Sequence, residues 1–120
     1  MFEEIFLRLY ERNKDIKVIG VWGKDGLELE KKWFTDNSDL KRSIDLDISG
    51  AELADVIARM DHAKTGLDTF LILADFHGYK LMVYSLTKDY FLILLTENTI
   101  LEGKLRFYLG LYRNHFTDML

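Results

Sequence analysis

Phe91-Leu92-Ile93-Leu94-Leu95 places five large apolar residues in a row, bounded by Tyr90 and Thr96. A strand that is apolar at every position needs cover on both faces. Two further apolar runs precede it: Phe70 to Phe76, almost continuous, and Tyr79 to Leu86, mostly so. Their length and the turn residues between them favour strands over buried helix. His77-Gly78 supplies the first turn, with a glycine free to take a positive φ. Thr87-Lys88-Asp89 supplies the second. Residues 69–96 therefore read as three strands, with 91–95 in the middle of a sheet and helices on both sides.

The rest of the chain can be placed around that sheet. Phe2, Ile5, Phe6 and Leu9 recur at helical spacing, so Met1 to Asn13 reads as a short amphipathic helix. Its acids lead and its bases follow, which suits the helix dipole. Ile16 to Trp22 reads as a strand, Gly23-Lys24-Asp25-Gly26 as a hairpin turn, and Leu27 to Phe34 as the return strand. The return strand alternates, with Leu27, Leu29 and Trp33 on one face and Glu28, Glu30 and Lys32 on a wet one, as an edge strand does. Thr35 to Asp47 is polar and reads as a connection.

Ser49 and Glu52 form an S-x-x-E capping box. It opens a second helix whose stripe is Leu53, Val56, Ile57 and Met60 and which Gly66 ends. Thr99 and Glu102 suggest another box at the head of a last helix running to Met119. Leu101, Leu105, Tyr108, Tyr112, Phe116 and Met119 hold one face of it, broadened by Phe107, Leu109 and Leu111. Gly103 and Gly110 on this helix are expected to pack closely on the sheet, since each costs about 1 kcal/mol against alanine. The fold class is α+β, in the order α-β-β-α-β-β-β-α, within a single domain spanning residues 1–120.

Composition narrows function chiefly by exclusion. With no cysteine, disulfides, thiolate nucleophiles and cysteine metal sites are ruled out. A net charge of −4 with interspersed signs argues against nucleic-acid binding, which needs a basic face. No apolar run approaches a membrane span of roughly 20 residues. Glu3 and Glu4 stand where a signal peptide would carry bases, so a cytoplasmic protein is expected.

The remaining motifs carry little chemistry. Asp45-Leu46-Asp47-Ile48-Ser49-Gly50 resembles the start of a calcium loop, but the twelfth position, which needs a glutamate, is Val56. Gly20 to Gly26 holds a lysine but lacks the phosphate-loop spacing and is flanked by hairpin strands. His62, His77 and His115 show no helical pairing for a metal. Asp75 near the end of an apolar strand is a candidate acid or base, against the commoner role of a solvent-facing or turn-capping carboxylate. No serine sits in a nucleophile elbow. Trp22 and Trp33 flank the hairpin, and core packing is their expected role ahead of partner binding. No catalytic set, metal site or cofactor emerges, so a non-enzyme is expected.

The element order, together with IKVIGVWGKDGLELEKKWF, ELADVIARM, YKLMVYSLTKDYFLILLT and ILEGKLRFYL, resembles the Roadblock/LC7 family over nearly the whole chain. Gly20, Gly26 and Gly103 are its glycine landmarks. Lys31 and Lys32 depart from the apolar return strand that members often have. The resemblance implies a five-stranded antiparallel sheet in the order 2-1-5-4-3, between the first and last helices on one face and the middle helix on the other. It implies a profilin-like topology and no catalytic constellation. Members dimerise and act as platforms for small Ras-like GTPases. Prokaryotic members of the MglB kind accompany a GTPase of the MglA kind and stimulate its hydrolysis. On this chain the resemblance implies a homodimer through Leu53, Val56, Ile57, Met60, Phe70, Ile72 and Ala74, with Arg59 and His62 as candidate partner contacts. The alternative expectation is a small-ligand sensor on a profilin- or PAS-like sheet.

Overall fold

A computed structural model describes residues 1–43, 55, 71–76 and 78–120, with residues 43 and 71–76 described as backbone only. Five strands form one antiparallel sheet: β1 (Ile16–Gly23), β2 (Glu28–Trp33), β3 (Leu71–Phe76), β4 (Tyr79–Ser85) and β5 (Tyr90–Glu97). Their order across the sheet is β2-β1-β5-β4-β3. Three helices lie among the described residues: α1 (Glu3–Arg12), α2 (Ser38–Ser43) and α3 (Glu102–Asp118). Of the helix expected over 49–66 only Asp55 is described, and its backbone is helical.

β5 pairs with β1 on one side, Leu94 opposite Ile19, and with β4 on the other, Leu94 opposite Met82. Residues 91–95 are all fully buried. Strand alternation divides them between two cores. Leu92 and Leu94 join α1 and α3 through Phe2, Phe6, Leu9, Leu105, Leu109 and Phe116. Phe91, Ile93 and Leu95 join Val18, Trp22, Leu81 and Val83 on the opposite face. Burying each such side chain is worth about 1.5–3 kcal/mol.

The expected stripe of α1 is the buried one. Phe2, Phe6 and Phe116 form a tilted triad with centroids 5.8–6.1 Å apart, tying the head of α1 to the tail of α3. The register shifts in β1 between Ile16 and Val18. This bulge lets Ile16 join the α1 core although Val18 belongs to the other. Lys17, the extra residue, ion-pairs with Glu97 at 2.9 Å.

Turn chemistry follows the expected residues. Gly26 and Gly78 take φ of +88° and +83°, which only glycine adopts without strain. Asp25 accepts a hydrogen bond from the Leu27 N–H across the hairpin turn. Thr87 Oγ1 accepts from the N–H groups of Asp89 and Tyr90 to close the β4–β5 turn.

Four local expectations are corrected by tertiary structure. The charged face of β2 is not simply wet: Glu30 accepts from the Phe2 N–H at 2.8 Å and from the Met1 ammonium at 3.0 Å, while Lys32 bonds Glu3 at 2.8 Å. These bonds seat the head of α1 on the strand. Leu29 falls in a register shift opposite Val21 and Trp22, so Leu27 and Leu29 are exposed and only Trp33 packs. The polar connection after β2 contains α2. Asn37 Oδ1 caps it by accepting the Leu40 N–H, and Leu40 is buried in the second core.

The fourth correction concerns α3. Its N-cap is Leu101, with no side-chain capping bond, and Glu102 instead receives a hydrogen bond from Lys80 on β4. The proposed Thr99–Glu102 box is therefore absent. Gly103 and Gly110 do not approach the sheet either: a Cβ at either would meet nothing within 4 Å.

Candidate protein-interaction surface

β3 ends the sheet. Among the described residues it pairs with β4 alone, Ile72 opposite Val83 and Ala74 opposite Leu81. Val83 and Leu81 belong to the core opposite α1 and α3. A strand at a sheet edge offers a row of backbone donors and acceptors to a further strand, and nature normally blunts or covers it. β2, at the other edge, is blunted by its bulge and by Glu28, Glu30, Lys31 and Lys32. Glu28 and Lys31 pair with each other at 3.1 Å, which accounts for a lysine at that position of the return strand.

Of the residues proposed for a dimer interface, Ile72 and Ala74 fall in β3. Leu53, Val56, Ile57, Met60 and Phe70 lie outside the described residues, as do Arg59, His62, His77 and the Asp45–Gly50 stretch. Asp75 stands opposite Lys80 in the β3–β4 register. His115 is exposed on α3 with its ring edge on Tyr112. Trp22 is fully buried and Trp33 packs half-buried against the same core. Among the described residues, no group of three His, Asp or Glu side chains is placed to hold a metal ion. None of the described helices is long and apolar enough to cross a membrane.

Electrostatics across the described surface is a matter of exposed pairs rather than perturbed groups. Glu3 titrates below the ordinary carboxylate range because Lys32 donates a hydrogen bond to it and adds its charge. Glu102 is lowered in the same way by Lys80. Glu3 is exposed and Glu102 only half-buried, so these are local ion-pair effects and not the signature of a catalytic acid.

Phe107 and Leu111, expected to broaden the buried face of α3, are 64% and 53% exposed. Leu105, Leu109 and Phe116 face the sheet, with Tyr108 and Tyr112 at the flank. Phe107 lies on the far side of the helix from that arc, at about 100° per residue. The stretch from 101 to 120 has aromatic or apolar residues on both sides, so its hydrophobic periodicity is weak and gives no unique buried arc.

No protein-family model matches the sequence, and no curated protein matches it. Solved structures do match the fold along almost the full length. MglC from Myxococcus xanthus superposes with a TM-score of 0.65 at 16% identity, covering 99% of this chain and 98% of that one. A Roadblock/LC7 domain from Streptomyces avermitilis gives 0.71 at 14% identity, covering 94% and 92%. Myxococcus xanthus MglB gives 0.72 at 16% identity, covering 93% and 88%.

Proposed function

Because the chain has the Roadblock/LC7 fold, we propose that it is a non-catalytic, cytoplasmic homodimer that binds a small Ras-like GTPase of the MglA kind. It regulates that GTPase or scaffolds it. The observation that carries this reading is the near full-length likeness to MglB and MglC. The place of β3 at the end of the described sheet supports the dimer: a second copy pairing through Ile72 and Ala74 joins two sheets edge to edge. Leu53, Val56, Ile57, Met60 and Phe70 complete the interface in this reading, and Arg59 and His62 reach the partner.

Regulation requires that the platform bind the GTP and GDP forms with different free energies. A tenfold preference takes about 1.4 kcal/mol, which a few side chains against a switch loop supply. The test is a pull-down with the tagged chain against Ras-like GTPases of the same organism, each loaded with GDP or a GTP analogue. Retention of one form over the other is expected. Equal retention leaves scaffolding alone. No retention, with a small molecule carried through purification, replaces the reading with the sensor alternative.

A further inference from the structure

No further inference is drawn: the strongest candidate, the surface cleft between the C-terminal end of α1 and the head of α3 where Arg12, Lys14 and Lys104 gather, is also lined by Glu11 and Asp15, and beyond the N-terminus of α3 nothing among the described residues points to a ligand there.

Discussion

Gly20 lies against the indole of Trp22: a Cβ on Gly20 would stand 2.2 Å from Trp22 Cζ3 and 2.5 Å from Cη2. Both residues are on β1, and the Trp22 ring is fully buried in the second core. A β-carbon at position 20 would also lie 3.2 Å from the Glu30 carbonyl oxygen on β2. The ring cannot tilt away without opening that core.

Gly20→Ala should therefore cost about 1–3 kcal/mol, the usual penalty for overpacking a filled site. Urea unfolding followed by tryptophan fluorescence measures it. Gly103→Ala is the matched control. Its new methyl meets open space, so it should stabilise by about 0.5–1 kcal/mol through helix propensity alone. Equal effects at the two positions would contradict the packing account.

Glu30 couples a strand to a helix terminus. Its carboxylate accepts the Phe2 N–H, one of the donors that the first turn of α1 leaves without a helical partner. Glu30→Ala should destabilise by about 1 kcal/mol, in the range of losing a cap. Hydrogen exchange should show the loss concentrated at the head of α1 rather than spread through the sheet.

Leu40 is the single apolar anchor of α2 and is 6% exposed. Leu40→Ala should cost about 2–3 kcal/mol, towards the low end for buried leucines because α2 is short and can shift. Chemical unfolding gives the value. A change under about 0.5 kcal/mol would mean that this segment does not contribute to the core.

Acid stability should report the Lys80–Glu102 pair. The hydrogen bond from Lys80, and then its charge, hold Glu102 below its ordinary value. A carboxylate lowered in the folded state stabilises fully above its unfolded value, and that contribution is lost as pH falls through the folded one. Melting temperature should fall less steeply through the acid range in Glu102→Gln than in the wild type. Some slope should remain from Glu3, which Lys32 lowers in the same direction. Superimposable profiles for the two proteins would contradict the assignment.

These cases show where sequence patterns carry structural information and where they stop. Residues 91–95 and the Phe2, Ile5, Phe6, Leu9 stripe were legible because their burial follows from periodicity alone. Asp25-Gly26 was legible because a positive φ needs a glycine. Alternation in β2 identified a polar face but could not say that α1 would sit on it, since Glu30 and Lys32 find partners 28 and 29 residues away. Glu102 had a local capping role open to it, and a strand lysine won. α2 has one buried apolar residue and so no period to detect. Phe107 and Leu111 obey the same rules of composition as the residues they resemble across the helix, and only the packed sheet decides which side is inside. Of the interface residues inferred by resemblance, Ile72 and Ala74 fall on β3, the last strand of the described sheet, and the others lie outside the described residues.

The proposed dimer, which would read the nucleotide state of a Ras-like GTPase, is tested most directly by one titration. The wild-type chain and Ile72→Lys are each titrated with the GTPase loaded with GDP and with a GTP analogue, with light scattering on the same samples. The account predicts a wild type of twice the 14.1 kDa chain mass that prefers one nucleotide form about tenfold. It predicts a monomeric Ile72→Lys that has lost binding, because a charge placed at a pairing edge opposes closure of the interface. A monomeric wild type, or equal affinity for both nucleotide forms, would contradict it.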